Sequence, residues 1–249
     1  AEIGRDDTAC ILFTSGSTGR PKMVVHTPQA RAVRIRYLKD LTVVDFERAL
    51  VVPSLFSTYG FYTVSAILDV GKTVCFAPFG QPALLLANVY NVDMMVASAQ
   101  QAIALAEIQE KGSRVRLPSL KALRTGGGML SRQGADRLKR NLCRNIIMAY
   151  SATEAGAVAL APHDMIAGIP DAVGFLVPGV KVEIVDAAGT VLPTGSEGFV
   201  RVQTPLTNAL AAARKPDSGP GPHWYYPGDI GRLTENGVLC IAGRREDLL

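Results

Sequence analysis

Between residues 48 and 160, short apolar runs alternate with stretches of helical periodicity, and this alternation constrains the fold more than any other feature. Strands are predicted at 49–52, 73–76, 93–97, 120–123 and 145–149, and helices near 59–69, 81–90, 98–111 and 131–141. Apolar strands separated by helices form parallel-type sheets covered by helices, because each crossover needs a helix-length connection. Upstream, residues 8–13 and 23–26 read as two strands of a hairpin around a hydroxyl- and glycine-rich loop. Thr27 and Pro28 supply an N-cap and a first-turn proline, opening a helix that runs to about Lys39. After Pro170 the helical periodicity fades. Strands are expected at 180–185, 198–202 and 238–242, with a turn at 186–189, no helix, and a Pro/Gly-rich loop at 215–222. The expected fold class is α/β, a helix-covered, mostly parallel sheet followed by a small β-rich, barrel-like subdomain. The expected division is 1–168 for the α/β part, 169–242 for the β-rich part, and 243–249 as the start of a linker to a further domain.

Composition narrows the function classes. Hydrophobic residues make up 48% of the 249 and charged residues 19%, a globular balance. No apolar run reaches the roughly 18–20 residues that a membrane helix needs. A net charge of +4 suits an anionic ligand but lacks the dense basic face of a nucleic-acid binder. Cys10, Cys75, Cys143 and Cys240 form no C-x-x-C pair, which fits a reducing, cytoplasmic setting better than a disulfide framework. His26, His163 and His223 have no ligand-like spacing, so a structural zinc is not expected. The chain starts at Ala1 and stops at Leu249 without punctuation, and both ends read as cuts within a longer protein.

The densest chemical signal is Thr14-Ser15-Gly16-Ser17-Thr18-Gly19-Arg20-Pro21-Lys22. Glycines let backbone N–H groups approach an anion, and a lysine adds charge for phosphate. The Walker phosphate loop is excluded, since it requires glycine where Pro21 stands and Ser/Thr where Met23 stands. An ordinary Ser/Gly turn is the plain alternative.

This string resembles the phosphate-loop signature of the adenylate-forming superfamily: acyl- and aryl-CoA ligases, peptide-synthetase adenylation domains and luciferases. Four further segments follow in that family's order. Arg124-Thr125-Gly126-Gly127-Gly128-Met129-Leu130 resembles its G-G-x-x-L segment, where glycine lets a flat base or acyl group pack on backbone. Ala149-Tyr150-Ser151-Ala152-Thr153-Glu154 resembles G-Y-x-x-T-E, with Ala149 in place of glycine. Tyr226-Pro227-Gly228-Asp229-Ile230-Gly231-Arg232 resembles Y-x-T-G-D-x-G-R, with Pro227 replacing threonine and so removing a hydroxyl and an N–H. Gly243-Arg244-Arg245-Glu246-Asp247 resembles the linker motif G-R-x-D-D.

The resemblance implies roles residue by residue. Thr14, Ser15, Gly16, Ser17, Thr18, Gly19 and Lys22 would cradle phosphates, Tyr150 would stack on adenine, and Gly126, Gly127, Gly128 and Ser151 would line the nucleotide site. Thr153 would bond a phosphate and Glu154 would hold Mg2+. Asp229 would bind the ribose diol, Arg244 would reach ribose or phosphate, and Glu246 would be the hinge. Lys22, Thr153 and Glu154 form the implied catalytic set. A capping box or plain turn remains the alternative for 150–154, and a Pro-Gly-Asp turn for Asp229.

Ser57 stands where the family often has histidine beside the acyl pocket, which Tyr59 and Gly127 would share. No acid lies between Val51 and Ile67 to pair a substrate ammonium, so a neutral aryl or alkyl acid is expected. The basic series Arg31, Arg34, Arg36 and Lys39 reads as a solvated face, with phosphates of coenzyme A as the alternative.

The implied function is ATP-dependent formation of an acyl-adenylate, then thioester formation with coenzyme A. A carrier-protein acceptor is the first alternative, and a non-catalytic nucleotide-binding fragment is the second. ATP, Mg2+ and coenzyme A are the implied cofactors. A carboxylic acid is the implied partner, without nucleic acid or membrane, and a homodimer is compatible. The chain by itself is expected to be inactive, because the family's second domain supplies a further lysine.

Overall fold

The computed structural model describes residues 4, 7–14, 22–39, 44–113, 115–214 and 223–245, with side chains at all of these except 14, 22, 39 and 211–214. A hairpin of β1 (Cys10–Thr14) and β2 (Lys22–His26) leads into α1 (Pro28–Lys39). Then strands and helices alternate: β3 (Arg48–Val51), α2 (Thr58–Asp69), β4 (Thr73–Cys75), α3 (Gln81–Val89), β5 (Met94–Ser98), α4 (Ala99–Ile108), β6 (Ala122–Gly126), α5 (Arg132–Asn141) and β7 (Ile146–Ala152). The rest is β8 (Gly156–Pro162), the short α6 (His163–Ile166), β9 (Ala172–Leu176), β10 (Lys181–Val185), β11 (Gly198–Gln203), α7 (Pro205–Arg214), β12 (Asp229–Leu233) and β13 (Val238–Arg244). No helix among the described residues is long and apolar enough to cross a membrane.

These elements gather into two compact units that are not linear segments. One holds Leu38–Ala149 and Ala161–Gly168. The other holds the residues up to Tyr37, Tyr150–Leu160, and those from Ile169 onward.

In the first unit the strands run in the order β4-β3-β5-β6-β7, each pair parallel. This is the arrangement that the strand–helix alternation demands. Met95, Val96, Ala97, Leu123, Ile146 and Ile147 are buried on the strands, and Leu84, Ala102, Leu105 and Leu138 on the helices. Each buried Leu, Ile, Val or Met side chain here contributes about 1.5–3 kcal/mol by leaving water, and the alanines less. Ser98 ends β5 and caps α4: its Oγ accepts from the Gln101 amide at 3.1 Å, and Gln101 Oε1 accepts from the Ser98 amide at 3.0 Å. Asp93 clasps the base of the sheet. Its carboxylate accepts from the amides of Glu47 and Arg48 at 3.0 and 2.9 Å and lies 3.2 Å from Lys121 Nζ.

In the second unit the hairpin runs from Cys10↔His26 to Thr14↔Lys22. The other strands follow the order β8-β9-β13-β12-β11-β10 in antiparallel pairs. Their core is Ala155, Val158, Val182, Ile184, Val200, Val202, Leu239 and Ile241.

Two expectations are corrected here. First, α7 stands where no helix was expected. Thr204 Oγ1 accepts from the Thr207 amide at 3.1 Å, Pro205 opens the helix, and Leu206 and Leu210 bury against Ala30 of α1. Thr204-Pro205 is the same start signal as Thr27-Pro28. Second, Arg34 does not belong to a solvated face. It is only 5% exposed, and its Nη1 donates to the Thr153 carbonyl at 2.5 Å.

Candidate nucleotide and acyl sites

Strand β7 carries the Tyr150 motif beyond its apolar stretch, and a turn at 153–155 joins it to β8. Glu154 sits in that turn, 9% exposed. Two anchors fix the turn's backbone: Arg34 at the Thr153 carbonyl, and the Thr204 hydroxyl donating to the Ala155 carbonyl at 2.8 Å. The Glu154 carboxylate is oriented as well, since Tyr225 donates its hydroxyl to Oε2 at 2.8 Å. Burial, and then the Glu154 charge, push the Tyr225 phenol well above its ordinary value, so it stays a donor. Ser151 is exposed and Thr153 half-buried.

Asp229 begins β12 and is 7% exposed. Tyr150 donates its hydroxyl to Asp229 Oδ2, and Arg244 Nε, at the end of β13, lies 3.5 Å from Oδ1. β12 and β13 pair Asp229 with Arg244, so the sheet register itself brings the two together. Burial raises the Asp229 carboxyl above its ordinary value, while the Tyr150 hydrogen bond and Arg244 pull it down. The Tyr150 phenol is raised by burial and by the Asp229 charge. Tyr150, Asp229 and Arg244 are thus one hydrogen-bonded and charge-coupled group, with Glu154 and Tyr225 as a second. A buried carboxylate held by donors is prepared to accept from a diol, and a glutamate carboxylate is a hard-oxygen ligand type suited to a magnesium ion. Among the described residues no group of three or more His, Cys, Asp or Glu could cage a metal. Tyr225 was absent from the sequence reading, although it immediately precedes a quoted motif. A partner for Glu154 that lies 71 positions away leaves no local signal.

Of the phosphate-loop string, Thr14 and Lys22 are the last register pair of the hairpin, so residues 15–21 connect its two strand ends. Ser15, Gly16, Ser17, Thr18 and Gly19 lie outside the described residues, as does Glu246.

In the other unit, Ser57 caps α2: its Oγ accepts from the Gly60 amide at 3.0 Å and donates to the Ser54 carbonyl at 2.6 Å. Both bonds are local, so Ser57 serves to fix the start of the helix that carries Tyr59. Gly60 has no alternative residue, because a Cβ there would stand 2.2 Å from the Ser54 carbonyl oxygen. Tyr59 in turn lies over Gly126: a Cβ on Gly126 would meet Tyr59 Cζ at 3.4 Å and its oxygen at 3.5 Å. Gly126 is buried, while Gly127 and Gly128 are exposed at the carboxyl end of β6.

The model of the AMP-binding enzyme family matches residues 1–209. The chain belongs to that family. This bears out the resemblance to the adenylate-forming superfamily. The chain is 28% identical over 261 residues to the 2-succinylbenzoate–CoA ligase of Bacillus licheniformis, covering 99% of this chain and 52% of that protein. It is 27% identical over 265 residues to 4-coumarate–CoA ligase-like 9 of Arabidopsis thaliana, covering 100% of this chain and 46% of the relative. The chain therefore spans about half the length of the relatives it matches. Among solved structures, the Bacillus subtilis O-succinylbenzoate coenzyme A synthetase in complex with ATP and magnesium superposes with a TM-score of 0.80. Its identity is 22%, over 99% of this chain and 52% of that one, which establishes the shared fold.

Proposed function

We propose that the intact protein activates a carboxylic acid with ATP, releasing pyrophosphate, and passes the acyl group to the thiol of coenzyme A. The observation that carries this reading is the pair of buried, pre-oriented carboxylates, Asp229 with Tyr150 and Arg244, and Glu154 with Tyr225, in a chain of the AMP-binding family.

In this reading Asp229 accepts from the ribose hydroxyls and Arg244 adds positive charge beside it. Tyr150 offers its ring to the adenine while its hydroxyl holds Asp229 in place. Thr153, Lys22 and the amides of residues 15–19 bind the phosphates. Glu154 holds magnesium, which when bound neutralises charge on phosphate oxygens as a Lewis acid. The substrate carboxylate forms the new O–P bond at the α-phosphorus, and the bond to the bridging oxygen breaks, so that oxygen leaves with pyrophosphate. The thiol then adds at the acyl carbon, and AMP departs with the carboxylate-derived oxygen. What the residues contribute is charge already in place where charge develops. The names of the two coenzyme A ligases support coenzyme A as the acceptor. The test is pyrophosphate release by the intact protein across a panel of acids, with thioester appearing only when coenzyme A is added. Acid-independent ATP cleavage would reject the proposal.

A further inference from the structure

Resting on that reading, we infer that Arg124 and Tyr59 form a receptor for a second carboxylate, so that the acid activated is a dicarboxylic acid. Strand β6 alternates its side chains, so Arg124 and Gly126 point to the same face of the sheet. The Tyr59 ring covers Gly126 on that face, its oxygen 3.5 Å from where a Cβ would stand. Arg124 Nε and the Tyr59 hydroxyl are both buried, and neither has a hydrogen-bond partner among the described residues. Burial raises the Tyr59 phenol, while the Arg124 charge draws it down, which places the two groups in one electrostatic neighbourhood.

Two donors without acceptors, one of them charged, are costly unless something accepts from them. The strands on either side of Arg124 carry no acid. Residues 94–98 of β5, 120–131 around β6 and 146–152 of β7 contain no Asp or Glu, and the only acid of α2 is Asp69 at its far end. A carboxylate satisfies both donors and the charge, since a guanidinium takes it through two parallel bonds. A ligand ammonium would be repelled. The absence of acids that argues against an amino acid thus becomes, with Arg124 in place, an argument for a negative distal group instead of a neutral one. Arg124 was already in the quoted glycine segment, but only the strand's alternation shows that it shares a face with Tyr59.

The test uses the intact protein and pairs of acids matched in carbon count, straight-chain monoacids with their diacids and benzoate with its dicarboxylates. Pyrophosphate release should favour the diacid in at least one pair by about 10–100-fold in kcat/KM, as expected for a charge-assisted pair. Arg124→Met should erase most of that ratio, Arg124→Lys should restore part of it, and Tyr59→Phe should lower it several-fold, each mainly through the KM for the acid. Calorimetric titration of the same diacids reads binding without turnover. Arg124-dependent diacid binding in a protein that releases no pyrophosphate would reject acid activation yet uphold the receptor. Preference for monoacids, or equal loss on both members of each pair in Arg124→Met, would overturn it.

Discussion

Replacing Asp229 by alanine separates a ligand role from a structural one. The carboxyl is 7% exposed, accepts from Tyr150 and faces Arg244 at 3.5 Å. Its raised pKa means that the fold does not favour its charge, so deletion should cost little stability. The Tyr150 hydroxyl loses its acceptor, a loss of about 1 kcal/mol. The Arg244 side chain, 58% exposed, retains water. The ribose hydroxyls lose their acceptor altogether, which should weaken ATP by about 1–3 kcal/mol. That is roughly 5- to 160-fold in Kd. Calorimetric titration of Mg-ATP into the intact protein, beside thermal unfolding without ligand, reads both quantities. Tyr150→Phe refines the test. Only the charged carboxylate accepts well from a diol, so ATP affinity should fall as pH drops through the Asp229 pKa, which lies above 3.8. Removing the Tyr150 donor raises that pKa further and moves the loss to higher pH. Unchanged ATP affinity in Asp229→Ala, or a shift to lower pH in Tyr150→Phe, would refute the assignment.

Further outcomes follow from the other contacts. Glu154→Ala should slow pyrophosphate release by about 10²–10³ while changing the ATP Kd far less, as for a group acting on developing charge. Tyr225→Phe should raise the magnesium concentration needed for half-maximal ATP binding several-fold, because the Glu154 carboxylate loses its fixed donor. Asp93→Ala should lower unfolding stability by about 1–3 kcal/mol. For Asp93, burial raises the carboxyl and is outweighed by the Arg48 and Glu47 amides and Lys121, which together hold it below 3.8. Its contribution is therefore complete above the ordinary value and lost as pH falls through the lower folded one, in pH-dependent unfolding of the wild type but not of the variant.

The sequence made the parallel sheet legible because buried strands and amphipathic helices carry opposite periodicities, and β3 through β7 lie close to their expected places. It concealed α7, whose Thr204-Pro205 start was overlooked among the strand signals that dominate residues 180–242. Arg34 reads as surface charge until α1 is docked against the Thr153 turn. The motif residues Tyr150, Glu154, Asp229 and Arg244 could be picked out by resemblance. That Tyr150 would bond Asp229, or Tyr225 Glu154, depends on tertiary placement across 79 and 71 positions, which no local pattern encodes.

The most direct test of acyl-adenylate formation is isotopic. The intact protein would be given ATP, coenzyme A and an acid labelled with oxygen-18 in its carboxylate, and the AMP analysed by mass spectrometry. Attack of the carboxylate on the α-phosphorus predicts one labelled oxygen in AMP and none in pyrophosphate. Label in inorganic phosphate with ADP as the nucleotide product, or AMP without label, would contradict it.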